Sequence, residues 1–194
     1  MGKAQYTEQE LIRGCRKGKR RYQELLYSHF YGFGMSVCLR YTYSRNDALE
    51  VLNDSFMKVF EHIQTFDETR PFKSWFRRIL VNTALDHYRS NRNYRLYLSF
   101  DEDQMELAGK SDTGNPEGYD LNISSDLILG LFNQMPQQYR LTFNLYEVEG
   151  YTHDEIAGML GISPGTSRSN LSRAKKMIKM LYQERIEPNC NEAI

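Results

Sequence analysis

Residues 151–178 read YTHDEIAGMLGISPGTSRSNLSRAKKMI and carry two helix starts with a helix stop between them. Thr152 followed by Glu155 is the capping-box pattern, in which a hydroxyl and a carboxylate satisfy each other's orphan backbone N–H groups. Ile156, Ala157 and Leu160 give the short helix an apolar side, and Gly161 suits the left-handed residue that ends it. Ser163 can then cap a second helix, with Pro164 at its first position, where a missing N–H is harmless. Two helices joined through Gly-Ile-Ser predict a helix-turn-helix, with the small Ala157 where they cross.

On the second helix Leu171, Ala174, Ile178 and Leu181 recur at helical spacing and are expected to face inward. Arg168, Ser169, Ser172, Arg173, Lys175, Lys176 and Lys179 occupy the rest, and 164–182 contains no acid. A basic helix of this kind fits the major groove of B-DNA, where arginine can grip guanine through two acceptors. The N–H groups of Gly165 and Thr166 suit a phosphate. An ordinary helical hairpin with a charged outer face is the competing reading.

Upstream, the periodicity is helical throughout. Thr7 and Glu10 form another capping box. Tyr22, Leu25, Leu26, Phe30, Phe33 and Val37 predict an amphipathic helix over about 19–42. Ser44 caps a third helix bearing Ala48, Val51, Leu52, Phe56, Val59, Phe60 and Ile63. A polar break over 65–71 follows, and Pro71 leads into a helix over 72–92 with Phe72, Trp75, Phe76, Ile79, Leu80 and Ala84. Beyond a further segment come Leu127, Ile128, Leu131 and Phe132, then a helix from Pro136 with Tyr139, Phe143 and Tyr146. No segment alternates as a strand does, so the fold is expected to be all-α.

The chain has 194 residues, 40% of them hydrophobic and 13% aromatic, enough to build packed cores. No apolar run approaches the roughly 20 residues that cross a bilayer, and no signal peptide is evident. The expectation is a cytoplasmic chain with no membrane insertion of its own. Cys15, Cys38 and Cys190 form neither a disulfide framework nor a zinc knuckle. His29, His62, His87 and His153 are scattered without metal-ligand spacing, and there is no HExxH, P-loop, GxSxG or GxGxxG. Asp86 beside His87 reads as a surface pair rather than a catalytic dyad. Neither an enzyme, a metal nor another cofactor is expected.

Lys plus Arg and Asp plus Glu both total 25, but the charge is unevenly placed. Residues 1–97 hold 17 basic and 10 acidic residues, 98–126 hold one against eight, and 127–194 hold seven against seven. Segmental asymmetry of this kind points to polyanion contacts. Residues 101–122, DEDQMELAGKSDTGNPEGYDLN, have the composition of a flexible acidic linker. The expected organisation is a helical domain over 1–95, a linker over 96–122, a helix-turn-helix domain over 123–184 and a tail over 185–194.

The stretch quoted first resembles the promoter-reading helix-turn-helix of sigma factors, their fourth conserved region. Residues 47–92, DALEVLNDSFMKVFEHIQTFDETRPFKSWFRRILVNTALDHYRSNR, resemble the second conserved region of the extracytoplasmic-function (ECF, group IV) sigma factors of the sigma-70 family. The chain has no room for the extra domains of housekeeping sigma factors. The resemblance implies a region 2 helical bundle and a region 4 helix-turn-helix joined by the linker. It implies binding to core RNA polymerase, at the clamp helices of the largest subunit and the flap of the second-largest. Promoter DNA would be a further partner, as would an anti-sigma factor or other dedicated regulator.

Residue by residue, the matching polymerase-docking face is Asp47, Glu50, Asn53, Asp54 and Phe56. Asn53, Asp54 and Phe56 align with the family's Gln-Glu-x-Phe, with both polar residues changed here. Recognition of the minus-thirty-five element falls to Gly165, Thr166, Arg168, Ser169, Asn170, Ser172, Arg173 and Lys176. Ser167 stands where the family commonly has Val. Opening of the minus-ten element falls to Phe72, Lys73, Arg77, Arg78, Asn82, Asp86, Tyr88, Arg89 and Arg92. Bases interleaved with aromatics suit a single strand, though Phe72, Trp75 and Phe76 read more readily as core than as stacking platforms. Asn82 and the loop Asp67–Ser74 would hold a base flipped from the duplex, which costs a few kcal/mol of stacking.

A helix-turn-helix regulator binding DNA without polymerase is the alternative, but no dimer seam or sensor motif is evident. Fully extended at about 3.4 Å per residue, the roughly 26 residues from Arg95 to Leu121 span up to about 88 Å. The two modules can therefore engage separated DNA elements. Family linkers thread the polymerase's RNA path, so this one is expected either to mimic the transcript or to act as a solubilising spacer. If it is a mimic, neutralising Asp101, Glu102, Asp103 and Glu106 changes open-complex lifetime and abortive product yield, and unchanged values refute the idea.

Overall fold

The computed structural model describes the backbone over 6–99 and 130–186, and side chains over 6–91 and 130–184. Every regular element among the described residues is helical. In chain order these are α1 (Glu8–Arg16), α2 (Arg20–Cys38), α3 (Arg45–His62) with a 3₁₀ turn at Ile63–Thr65, and α4 (Phe72–Ser99). There follow α5 (Gln137–Phe143), continued by a π-helical turn over Asn144–Val148, α6 (His153–Leu160) and α7 (Pro164–Ile186). Residues 130–133 are also helical. The described helices fall into two compact units, α1–α4 and α5–α7. The linker over 101–122 and Leu127 and Ile128 lie outside the described residues.

In the first unit the caps are where the sequence puts them. The Thr7 hydroxyl accepts from Glu10 N at 3.3 Å while Thr7 N donates to Glu10 Oε2 at 2.8 Å, which opens α1. The bonds that Thr7 donates to that carboxylate, from its backbone N–H first and its hydroxyl second, hold the Glu10 carboxyl below its usual range. Ser44 Oγ accepts from Asp47 N at 3.0 Å and opens α3.

Two boundaries differ from expectation. The second helix ends at Cys38 rather than about 42, because the chain tightens there into three-residue bonds, Arg40 N to Val37 O at 3.1 Å and Tyr41 N to Cys38 O at 2.9 Å, and the Thr42 hydroxyl caps Cys38 O at 3.1 Å. That turn buries Tyr41. The fourth helix runs past 92 to Ser99, in keeping with the absence of Gly or Pro between Pro71 and Gly109.

The core of this unit is aromatic. Phe30 of α2, Phe56 of α3, and Phe72 and Phe76 of α4 are all at most 2% exposed. Ring centroids lie 4.7 Å apart for Phe30–Phe72 and 4.8 Å for Phe56–Phe76, each pair tilted. Such pairs contribute about 0.5–1.5 kcal/mol beyond the area they bury. Phe66 closes one end, 5.5 Å from Phe72 and 5.0 Å from Trp75. Helices α2 and α3 approach closely at Gly34, where a Cβ would overlap Leu52 Cδ1.

The second unit is smaller. Phe132, Met135 and Ala174 pack with Tyr139, Phe143, Met177, Ile178 and Leu181. Leu141, Leu145, Ile156 and Leu160 are buried as well. The helix expected from Pro136 starts there, but widens after Phe143 into the π turn, which Glu149 N closes on Asn144 O at 3.0 Å.

Gly34→Ala is expected to destabilise the first unit by about 1–3 kcal/mol, as overpacking of a filled core does. Urea denaturation checks this, and an unchanged midpoint would show that Leu52 moves aside freely.

Candidate nucleic-acid and polymerase interfaces

Three surfaces carry the candidate residues. The first is the helix-turn-helix. Thr152 N donates to Glu155 Oε2 at 2.8 Å and Glu155 N to Thr152 Oγ1 at 3.3 Å. Bonding to Thr152, its backbone first, lowers the Glu155 carboxyl from its usual value. Gly161 ends α6 at φ 64°, ψ 42°, in the left-handed region that disfavours side chains. Ser163 Oγ then accepts from Thr166 N at 3.0 Å.

These caps fix where α7 begins, and packing against α5 and α6 decides which of its residues are buried. Ser167, Asn170, Leu171 and Ala174 face inward, while Gly165, Thr166, Arg168, Ser169, Ser172, Arg173 and Lys176 are exposed. Two expectations are corrected. Asn170 is only 3% exposed, so it packs inside the unit and is not on the groove-facing side. The N–H of Thr166 is taken by the Ser163 hydroxyl, so it does not stand open to a phosphate as expected.

Ser167 explains its own departure from Val. Its buried hydroxyl lies 2.9 Å from Nδ1 of His153, and that ring stacks on Tyr146 at 4.5 Å. A polar bond between α6 and α7 thus replaces an apolar contact. Among the basic residues, Lys175 pairs with Glu147 at 2.7 Å and Arg173 Nη1 donates to the Tyr139 hydroxyl at 3.3 Å. The sequence reading did not register Arg140, which is fully buried with Nη1 donating to Asn133 Oδ1 at 3.2 Å. A charged residue on a short helix reads as surface, and no local signal marked it as core.

The second surface is the outer side of α4 and the preceding loop. Arg78, Asn82, Asp86 and Arg89 follow one another at three- and four-residue steps and are exposed. Asp86 receives Lys58 Nζ and Arg89 Nη1, each at 3.1 Å, so it braces the basic side chains and links α4 to α3. Lys73 is exposed with its ammonium 5.8 Å from the centre of the Phe33 ring, and Arg77 is half-buried. Phe72 and Tyr88, expected at the DNA, are instead 0% and 8% exposed and belong to the core. Arg92 lies on α4, but its side chain is outside the described residues. In the loop, Asp67 Oδ1 accepts from Thr69 N at 3.0 Å and Thr69 Oγ1 at 2.7 Å. Both bonds, the hydroxyl first, lower the Asp67 carboxyl.

The third surface is the outer side of α3. Glu50, Asn53 and Asp54 are exposed and Asp47 is half-buried. The Tyr27 hydroxyl donates to Asn53 Oδ1 at 3.0 Å. Phe56 is 2% exposed, 4.6 Å from Tyr27 and 4.8 Å from Phe76, so it shapes this face from beneath rather than touching a partner. Two apolar residues missed by the sequence reading share the face, Met57 at 60% exposure and Leu49 at 37%. Their helical step from Asn53 was the available signal.

Among the described residues, Asp47, Glu50 and His87 each bring one ligand atom within 4.8 Å of the others, the grouping that could hold a metal ion. His87 Nε2 sits 3.7 Å from Glu50 Oε2. Burial pushes the thiols of Cys15 and Cys38 up to about 11 and about 12, so neither is a thiolate at neutral pH. No helix among the described residues is long and apolar enough to cross a membrane.

Residues 26–94 match the family model for sigma-70 region 2, and residues 125–178 match that for sigma-70 region 4. Together they take in more than half of the chain. The chain belongs to the sigma-70 family. It is similar to the ECF RNA polymerase sigma-E factor of Haemophilus influenzae, 28% identical over 184 residues that cover 92% of this chain and 97% of that one. The ECF RNA polymerase sigma-E factor of Salmonella typhimurium LT2 is 29% identical over 183 residues, covering 90% and 93%. The chain is an ECF sigma factor in build, with regions 2 and 4 and the helix-turn-helix in the second of them. Among solved structures, the sigma factor RpoE of Bartonella quintana, in complex with the anti-sigma factor NepR, shares the fold at TM-score 0.50 and 17% identity. That likeness covers 82% of this chain and 96% of that one. Nothing in these likenesses supports a regulator that works without polymerase.

In this sigma factor, Arg168→Ala should weaken holoenzyme binding to minus-thirty-five duplex by about 1–3 kcal/mol, the worth of a two-point arginine contact. Lys175→Ala, which removes a side chain committed to Glu147, should change it by less than about 0.5 kcal/mol. Fluorescence anisotropy with a labelled duplex separates the two.

Proposed function

We propose that this sigma factor docks on the clamp helices of core RNA polymerase through the outer side of α3, reads the minus-thirty-five element with α7, and opens the minus-ten element with α4 and the Asp67–Ser74 loop. The observation that carries the reading is the two-sidedness of α7: Ser167, Asn170, Leu171 and Ala174 are buried, while Arg168, Ser169, Ser172 and Lys176 stand in solvent. A helix anchored along one side can enter the major groove without unfolding its own unit.

Each surface has a different physical task. On α7 the guanidiniums supply base-edge donors, and the Ser169 hydroxyl, which donates to Thr166 O at 2.9 Å, keeps its acceptor lone pairs for a base. On α4 the exposed amide of Asn82 can pair with the edge of an unstacked base, flanked by Arg78 and Arg89 for the backbone. On α3, Leu49 and Met57 supply apolar area beside Asn53 and Asp54, whose polar atoms set register. Region 4 would meet the flap of the second-largest subunit. A dedicated anti-sigma factor is a further partner in this proposal, as in the Bartonella quintana complex. The protein would act in the cytoplasm, where polymerase and promoter meet, and it performs no catalysis itself.

With 25 basic and 25 acidic side chains the free chain carries no net charge, so weak duplex binding is expected of it alone and tight binding only with polymerase. Adding the purified protein to core polymerase on a genomic promoter library, then sequencing transcripts, should reveal new start sites. Their absence overturns the reading, as does full-affinity binding of the free protein to the same promoters. Asn82→Ala should leave duplex binding by the holoenzyme intact and slow opening by about tenfold, as losing one base-edge contact would. Permanganate reactivity of unpaired thymines reads this, and opening at the wild-type rate removes Asn82 from the role.

A further inference from the structure

We infer that Arg16, the last residue of α1, is a positioning residue for strand opening, because its guanidinium clasps Ile63–Glu68, the segment in which the base-holding loop begins. The inference rests on the proposed role of Asp67–Ser74 and Asn82 in strand opening. Helix α1 lies outside residues 26–94, so the match to region 2 does not account for it.

The clasp has bonds in both directions. Arg16 Nε donates to Ile63 O at 3.1 Å, Nη2 to Phe66 O, and Nη1 to a Glu68 carboxylate oxygen. Gln64 Nε2 returns a bond to Arg16 O at 2.6 Å, and Arg13 Nε lies 3.7 Å from the other Glu68 oxygen. Three acceptors spread over six residues are met by one planar fork. An ammonium, a single point charge, cannot span them.

Both ends of the clasp are anchored. On one side α1 buries Leu11, Ile12 and Cys15 in the unit, so Arg16 projects from a fixed helix. On the other, Phe66 sends its ring into the aromatic core while its carbonyl is held by Arg16. The chain entering the loop is thus pinned by side chain and backbone together. Beyond it Asp67, Thr69 and Arg70 are exposed and ordered locally, by the Asp67–Thr69 bonds and by Arg70 N donating to Asp67 O at 3.1 Å. A loop that must receive a flipped base gains from an entry that is already ordered, since the entropy of fixing it is then lost on folding rather than on DNA binding. The guanidinium and the Glu68 carboxylate are only about a quarter exposed, which keeps solvent from loosening the pair.

The test uses holoenzyme assembled from the full chain and core polymerase. The probes are a fluorescein-labelled single-stranded oligonucleotide of the non-template minus-ten strand, from a promoter found by the transcript sequencing, and copies made abasic at each position in turn. Wild type should bind the intact strand about tenfold more tightly than the copy abasic at the flipped position. Arg16→Ala and Arg16→Lys should bring that ratio to about one, while holoenzyme assembly and minus-thirty-five duplex binding stay at wild-type values. Arg16→Lys keeps the charge and the stem, so it addresses the question even where Arg16→Ala unfolds. An Arg16→Lys protein that keeps the full ratio overturns the clasp alone, leaving the base-holding reading in place. If wild type shows no abasic position that matters, the base-holding reading and the clasp fall together.

Discussion

Four phenylalanines, Phe30, Phe56, Phe72 and Phe76, meet where α2, α3 and α4 cross, and the working faces of the first unit are consequences of that meeting. A helix has one rotation about its axis. Once Phe56 is buried, Glu50, Asn53, Asp54 and Met57 must emerge on the other side of α3. Once Phe72 and Phe76 are buried, Arg78, Asn82 and Arg89 must emerge from α4. Turning either helix would break several ring contacts, each worth about 0.5–1.5 kcal/mol, and would bury charge without partners. The outer sides of α3 and α4, proposed above to meet polymerase and to open the duplex, are thereby held in one rigid relation through a shared core, with Asp86 and Lys58 adding a bond between the same helices at the rim.

The second unit solves the same problem with fewer apolar residues, and does so partly with polar ones. Arg140, Asn144, Ser167 and Asn170 are all buried. The Asn144 amide donates to Arg140 O at 3.0 Å, and Ser167 bonds His153 across the helix-turn-helix. Buried polar contacts are directional, so they specify the rotation of α7 more sharply than a methyl group would. A recognition helix benefits from that. A misrotation by one residue position would turn Arg168 away from the exposed side proposed to enter the groove and bring Ser167 out of the core.

Signals that span one helical turn are legible in the sequence. The capping pairs Thr7–Glu10 and Thr152–Glu155, the Ser44 and Ser163 caps and the Gly161 stop all lie where their residue types predict. Helical spacing marks the basic side of α7, and resemblance adds roles for residues of α3, α4 and α7, but it carries residues across by position and not by orientation. Phe56, Phe72, Tyr88 and Asn170 were therefore counted among contacts, although each fills a core. Leu49 and Met57 were passed over for the converse reason, since an apolar residue in an apolar helix reads as core until its angle is known. The π turn after Phe143 had no periodic signature, because a single widened turn shifts only the register of the residues C-terminal to it.

The amino-acid sequence by itself determined where the capped helices begin, the stop at Gly161, the side on which each helix is apolar, the partition of charge along the chain and the two conserved regions. Those properties depend on neighbours within four residues or on the order of residues. Only the tertiary structure decided which aromatic and polar side chains are spent on the core, that Ser167 is paired with His153, and that Arg16 reaches carbonyls and a carboxylate 47 to 52 residues away. Bonds over such distances along the chain exist because packed helices bring their ends together. No local rule of capping or periodicity contains that information.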